Sequence, residues 1–171
     1  MLMNLEHIPQ PYSGEYEEKI YDIKSNWNSS NWTWLKFEED SLVWCGEFRG
    51  KYIGATYSEV KGIIVVITSD YVYILDIETK EVIDSERNFS YCDITCTPLG
   101  DILLSTGYGL ELLYGKTISN TDNIILPVNV ESLEFVDYKE HILEMSCDEF
   151  CNWANHMILL LDCETLSVTV R

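Results

Sequence analysis

Gly62-Ile63-Ile64-Val65-Val66-Ile67-Thr68-Ser69-Asp70-Tyr71-Val72-Tyr73-Ile74-Leu75-Asp76-Ile77 is the stretch that settles the fold class. Its first part is an apolar run of β-branched residues, which pack well on a pleated surface and suit a central strand. Ser69-Asp70 breaks the run, and Tyr71–Ile77 resumes it as a second strand. Glu78-Thr79-Lys80 then turns the chain into Val82-Ile83. A parallel crossover needs a dozen or more residues, and these gaps are far shorter, so the neighbours pair as antiparallel hairpins.

Upstream, the period of two extends back to Trp32. Trp32, Trp34 and Phe37 begin a strand, and Glu38-Glu39-Asp40 makes an acidic turn. Leu42–Phe48 forms the next strand, Arg49-Gly50 a turn, and Tyr52–Tyr57 a third strand. Downstream there is an internal echo: Ile74-Leu75-Asp76-Ile77-Glu78-Thr79 recurs as Leu160-Leu161-Asp162-Cys163-Glu164-Thr165. Each copy is an apolar strand ending in a polar turn, followed by another apolar strand (Val82-Ile83; Val168–Val170). Between the copies, Ile94 to Leu104 reads strand, Pro98/Gly100 turn, strand, and Gly109–Tyr114 follows as a strand. This cadence resembles the blades of a β-propeller, in the strand–PxG–strand–strand rhythm of WD-type repeats, over roughly residues 60–171. The Gly-His and Trp-Asp signatures are absent, and about three blades fit that span.

The first thirty residues read differently. Within Gly14–Lys24, Tyr16, Ile20 and Ile23 fall at i, i+4 and i+7, with acidic residues early and Lys24 late. That spacing predicts a short amphipathic helix, ended by the polar stretch 25–31. The expectation is therefore one mainly β domain over 1–171, with a helix and polar connector in 1–31 and an antiparallel body in 32–171. The body is a meander of about 10–12 strands in stacked sheets, as a β-sandwich or an incomplete propeller-like array.

The charge is lopsided: 29 acidic residues against 11 basic ones give a formal net charge of −18. Affinity for phosphate comes largely from Lys and Arg, so nucleic acid is excluded as a partner. An anionic membrane surface repels the chain for the same reason. A cationic protein fits, because opposite fields steer encounter. The five Trp and eleven Tyr exceed what a small core needs, so some rings are expected at a contact surface. Met1–His7 has no basic n-region or apolar run of signal length. No stretch approaches the roughly 18 apolar residues that span a bilayer. The expected location is the cytoplasm, with Cys45, Cys92, Cys96, Cys147, Cys151 and Cys163 as reduced thiols.

No catalytic or metal motif emerges. Cys92-x3-Cys96 and Cys147-x3-Cys151 invite a zinc reading, but the spacing is not the usual x2 knuckle and Asp93-Ile94-Thr95 reads as strand. His7, His141 and His156 sit in no motif, and neither G-x-S-x-G nor H-E-x-x-H occurs. Gly107-Tyr108-Gly109 is followed by Leu112 where a dinucleotide loop needs its third glycine. The chain is expected to be a non-enzyme with no metal and no cofactor.

The acidic clusters suggest contact sites instead. Glu15, Glu17 and Glu18 flank Tyr16. Glu38, Glu39 and Asp40 follow Phe37. Asp148 and Glu149 precede Phe150 and Trp153. Carboxylates accept bidentate bonds from Arg, while aromatic rings supply anchors that exclude water. Ser146–His156 reads as a long loop between two strands, a common place for function on a β scaffold.

The block Trp34-Leu35-Lys36-Phe37-Glu38-Glu39-Asp40, Val43-Trp44-Cys45-Gly46-Glu47-Phe48-Arg49-Gly50, with Ile64–Tyr71 after it, resembles a known group. It is similar to small acidic immunity proteins encoded beside bacterial polymorphic and contact-dependent growth inhibition toxins, and the likeness runs from Trp32 to Ile77. The resemblance implies a non-enzymatic antitoxin, binding one cognate toxin domain as a 1:1 heterodimer. The toxin is expected to be a basic nuclease, a ribonuclease, whose active-site cleft the acidic surface covers. A propeller-like protein–protein interaction module with no toxin-related role is the alternative.

Overall fold

A computed structural model describes residues 3–39 and 42–171, and these form sixteen strands in four four-stranded sheets. Sheet I holds β1 (Met3–Ile8), β2 (Glu17–Tyr21), β3 (Trp32–Glu39) and β4 (Leu42–Arg49). Sheet II holds β5 (Tyr52–Ser58), β6 (Ile63–Thr68), β7 (Tyr71–Asp76) and β8 (Val82–Arg87). Sheet III holds β9 (Asp93–Cys96), β10 (Ile102–Ser105), β11 (Leu110–Leu113) and β12 (Thr121–Ile124). Sheet IV holds β13 (Val130–Lys139), β14 (Ile142–Glu149), β15 (Asn152–Asp162) and β16 (Val168–Val170). Sheets II, III and IV are antiparallel meanders, while sheet I has the order β1-β3-β4-β2, with β2 parallel to β4. The strand number thus exceeds the 10–12 expected, because β1 and β2 lie in the stretch read as helix and connector, and β12 has only four residues, too few to register as a period.

The sheets stack in chain order through three apolar clusters. One face of β6, Ile64 and Val66, packs with Leu35, Phe37, Trp44 and Phe48 of sheet I. The other face, Ile63, Val65 and Ile67, packs with Ile94, Ile102 and Leu104 of sheet III. Sheets III and IV share Leu103, Leu110, Leu112, Leu143, Met145, Leu159 and Leu161. Ile63–Ile67 is apolar throughout because both of its faces are covered. Each fully buried side chain of this kind contributes about 1.5–3 kcal/mol. The first strands of the sheets lie side by side: β5 touches β1 and β9, and β9 touches β13.

The internal echo is a structural repeat. Asp76 Oδ1 accepts the amides of Glu78 and Thr79 (3.1 and 2.9 Å), and Asp162 Oδ1 those of Glu164 and Thr165 (2.9 and 3.0 Å). Lys80 and Leu166, at φ 61° and 56°, close the two turns. These are the β7–β8 and β15–β16 turns, equivalent places in sheets II and IV.

The expected helix in 14–24 is absent. Glu17–Tyr21 is instead β2, running along the edge of sheet I. Tyr21, which the helical stripe omitted, is the residue driven inward. It stacks on Phe48 at 4.6 Å and its hydroxyl donates to the Lys80 carbonyl at 2.7 Å. Ile20, on that stripe, is 65% exposed. Backbone pairing with β4 and burial of one Tyr outweigh a helical spacing built on three residues.

Strand reversal sends successive turns to opposite ends of the stack. One end, the lower, carries the 69–70, 106–109 and 150–151 turns and the 88–92 and 125–129 links between sheets. Bonds from Asn88 N to Asp70 O (3.1 Å), Leu133 N to Gly107 O (3.0 Å) and Phe150 N to Asn129 O (3.0 Å) tie it together.

Candidate functional site: an acidic and aromatic tip

Ser146–His156 is not a loop but the lower end of the β14–β15 hairpin, closed by Phe150 and Cys151, the latter at φ 61°. Asp148 pairs with His156 and Glu149 with Asn152, so Trp153, Ala154 and Asn155 form a bulge with no partner on β14. Such a bulge bends a strand and re-aims its side chains.

Two carboxylates hold the bulge in shape. Asp148 Oδ1 meets His156 Nδ1 at 2.5 Å, and its Oδ2 accepts from Ser132 Oγ at 3.0 Å. Glu149 Oε2 accepts from the side-chain amides of Asn152 and Asn155 at 2.7 and 2.9 Å. The bonds from His156 and Ser132 hold the Asp148 carboxyl below its ordinary pKa, and those from Asn155 and Asn152 do the same for Glu149. Trp153 is fixed from β13, where Glu131 Oε2 accepts its indole N–H at 3.0 Å. From sheet III the β10–β11 turn brings up Tyr108, its ring 6.4 Å from that of Phe150 and edge-on to it.

The outcome is three rings on show beside three carboxylates. Tyr108 is 65% exposed, Phe150 51% and Trp153 73%. From Thr117 to the last residue, the Lys and Arg side chains are Lys139 and Arg171 alone. Both are turned to Glu144, at 3.5 and 2.9 Å. Large rings ringed by polar groups are the composition of an interface centre, and carboxylates with no Lys or Arg beside them set the sign of what they attract.

The other expected contact residues lie elsewhere. Glu15 precedes β2, and Glu17 and Glu18 lie on it, exposed along the outer edge of sheet I. Glu38 is occupied by Asn4 Nδ2 and Lys36 Nζ, both at 2.9 Å. Glu39 lines a cleft of about 420 Å³ with Met3, Glu59, Ile77 and Glu78, at the upper end of the stack. Asp40 lies outside the described residues. Of the ten residues expected, the structure brings together Asp148, Glu149, Phe150 and Trp153, in the last sheet and at the opposite end from Glu38 and Glu39.

Sequence reasoning missed Tyr108, Glu131 and His156 as members of this tip. Tyr108 stood in a Gly-Tyr-Gly turn weighed only as a nucleotide loop. Glu131 is 22 residues from the Trp153 that it holds, a distance no local pattern spans. The cysteines are divided: Cys147 packs between sheets III and IV, Cys96 against the cluster between II and III, and Cys92 and Cys151 are exposed. Among the described residues no group of three or more His, Cys, Asp and Glu side chains could hold a metal ion.

No protein-family model matches the chain, and no curated protein matches it either. Among solved structures it is similar to the N-terminal domain of Nup159, with 11% identity and a TM-score of 0.44, over 91% of this chain and 43% of that one. A chain of an S. cerevisiae complex of Dbp5 with Nup159, Gle1, IP6 and ADP gives the same figures: 11%, 0.44, 91% and 43%. The β-propeller domain of Myceliophteria thermophila Cps50 (Swd1) matches at 15% identity and a TM-score of 0.42, over 71% of this chain and 37% of that one. The chain spans less than half the length of each of these.

Proposed function

We propose that this chain is a protein–protein interaction module, binding rather than catalytic, and that the β14–β15 tip with Tyr108 holds a cationic protein partner. The observation that carries the reading is the exposure of Tyr108, Phe150 and Trp153 beside Glu131, Asp148 and Glu149. Rings of this kind supply much of the affinity at a contact, and the carboxylates steer a positive surface to it. The hairpin stands on sheet IV, which its cluster with sheet III holds in place. The test is capture from a lysate by the immobilised chain and by its Phe150→Ala/Trp153→Ala variant. The expected partner is retained by the native chain, released as salt rises, and lost with the double variant. Retention indifferent to both salt and the two rings sinks the reading.

A finer proposal names the partner as a bacterial toxin domain, a basic ribonuclease, bound 1:1 with its cleft covered. It is supported by the net charge of −18 and by the likeness of the Trp34–Gly50 block to immunity proteins. Mixing the chain with the product of the neighbouring reading frame is then expected to form a stoichiometric complex and stop RNA cleavage. Cleavage that continues in excess chain removes the toxin and leaves the wider reading standing.

A further inference from the structure

The lower end of the stack differs from the upper in what it exposes. Of the five Trp and five Phe side chains, four stand exposed: Trp27, Phe89, Phe150 and Trp153. All four lie at the lower end, Trp27 between β2 and β3, Phe89 between β8 and β9, and the other two on the β14–β15 hairpin. Tyr108 on the β10–β11 turn and Ile125 after β12 continue the row in sheet order. The upper end exposes Val60 and Leu99 but no Trp or Phe. Sheets packed face to face lie about 10 Å apart, so the row runs about 30 Å, the reach of about ten extended residues.

The rings far from the tip also stand on fixed backbone. Trp27 N donates to Ser25 Oγ at 3.2 Å, and Arg87, lying 5.0 Å over the Tyr71 ring, donates to the same oxygen at 3.1 Å. Asn28 Oδ1 accepts from the Tyr71 hydroxyl at 2.6 Å, and Ser29 N donates to Asp70 Oδ2 at 2.6 Å. Before Phe89, Asn88 Oδ1 accepts the amides of Ser90 and Tyr91 at 3.2 and 2.9 Å. Segments already held in this way lose little freedom on contact.

The charge changes sign along the row. Segments 106–109, 125–132 and 148–156 carry Glu131, Asp148 and Glu149 with no Lys or Arg. Segments 22–31, 49–51, 69–70 and 87–92 carry Lys24, Arg49, Lys51 and Arg87, four of the eleven basic residues, against Asp22 and Asp70. Asp22 is held by Arg49 and Asp70 is buried, while Lys24 and Lys51 are exposed. Glu86, next to Arg87 on β8, faces the other way, as alternation along a strand requires. Around Trp27 a cleft of about 580 Å³ is lined by Lys24, Asn26, Asn28, Ser29 and the Asp22–Arg49 pair. Ammonium, guanidinium and amide donors of this kind suit a carboxylate.

We propose that the whole lower end is one interaction surface and that its partner is a dipolar protein, presenting basic side chains to the β14–β15 tip and carboxylates to the Trp27 end. The proposal rests on the reading of the tip as a contact for a cationic protein, and it adds an orientation. A partner laid across in the opposite sense meets like charges at both ends, which costs affinity. A second copy turned end for end matches the polarity, but two chains of −18 repel each other as wholes.

The test adds two capped synthetic peptides to the full chain at low salt, followed by calorimetry and backbone amide NMR. The first is Arg-Arg-Arg-Pro-Pro-Pro-Pro-Glu-Glu-Glu, whose proline spacer keeps its ends apart. The second replaces each Glu by Gln. The first is expected to bind about tenfold tighter, shifting Lys24–Ser29 as well as Glu149–Trp153. Lys24→Gln/Lys51→Gln is expected to remove that advantage and leave binding of the second peptide unchanged. If the first binds no tighter and both shift the tip alone, the dipolar surface is refuted and the tip reading stands. If neither shifts the tip, both fall. Chain that sediments as a dimer, and as a monomer after Lys24→Gln/Lys51→Gln, would make the occupant a second copy and overturn the proposed partner.

Discussion

The first and last sheets of the stack are alike in position and opposite in finish. Each packs one face on a neighbour and turns the other outward. In sheet I the outward face is covered by the chain itself. β1 and β2 run in the same direction with two strands between them, so residues 9–16 must cross the sheet to join them. Cys45 points outward, away from Trp44, yet is 0% exposed, and burial first, then Glu47, Glu18 and Glu15, pushes its thiol up to about 11. Farther down that face Arg49 lies 3.8 Å over the Trp32 ring and holds both oxygens of Asp22, at 3.0 and 2.9 Å. Sheet IV has no such finish: its outward side chains Glu144, Ser146, Asp148, His156 and Ile158 all keep part of their surface in water. The rings on the strands of sheet I, Trp32 under Arg49 among them, are consumed as structure, whereas Trp153 on sheet IV is left 73% exposed.

The largest way to break this comparison is to delete the same residue type from both sheets. Trp44 is 1% exposed and stacked on Phe37 at 4.1 Å, whereas Trp153 is 73% exposed. Trp44→Ala is expected to cost about 3–5 kcal/mol in urea unfolding. Trp153→Ala is expected to change stability by about 0.5 kcal/mol or less while abolishing partner capture. Equal costs would mean that the tip is part of the core.

Glycines sharpen it next. Gly50, at φ 108°, links sheets I and II, and a Cβ there would lie 2.5 Å from Thr68 Oγ1 and 2.9 Å from the Asp70 amide nitrogen. Gly107, at φ 82° beside the tip, has nothing nearer than Cys92 Sγ at 3.6 Å. Gly50→Ala is expected to cost about 2–3 kcal/mol or more, strain and clash together, and Gly107→Ala about 1 kcal/mol from backbone strain alone. Thermal unfolding of the two variants side by side reads the difference.

The contrast also separates what the sequence discloses from what it hides. Sheet II was legible almost residue by residue, because Ile63–Ile77 is two apolar β-branched and aromatic runs broken by a two-residue turn, and its pairings are local. The Asp76 and Asp162 turns were legible as a repeat, since a turn's chemistry lies within six residues. Sheet I was not: its β2 pairs in parallel with β4 some 27 residues away, as Glu17 with Trp44, and a five-residue strand beside polar connectors mimics a helical stripe. The rule that placed acidic–aromatic clusters at a contact found half of the tip. It could not tell that Glu38 lies beside a lysine, Lys36, whereas Glu149 is held by the uncharged amides of Asn152 and Asn155, because that depends on which side chains the pairing brings alongside.

The smallest expected effect concerns charge, where the two sheets carry opposite signs. Glu47 on the outward face of sheet I is pushed above its ordinary pKa by burial and by Glu18, although the Trp34 indole N–H opposes the shift. Asp148 in sheet IV is held below its ordinary value by His156 and Ser132. A raised carboxyl disfavours the folded state whenever it is charged. That penalty is complete above its folded pKa and vanishes below the unfolded value of about 4.3. A lowered carboxyl does the reverse: its stabilisation is complete above about 3.9 and is lost as pH falls through the folded value. Glu47→Gln is therefore expected to raise Tm at pH 7, by about 2 °C or less, and to leave it unchanged at pH 3.5. Asp148→Asn is expected to lower Tm at pH 7, with the deficit shrinking only below pH 4. The unequal windows separate the two sheets: a Glu47→Gln variant that loses stability at neutral pH would mean that the covered face uses this charge as the open one uses Asp148.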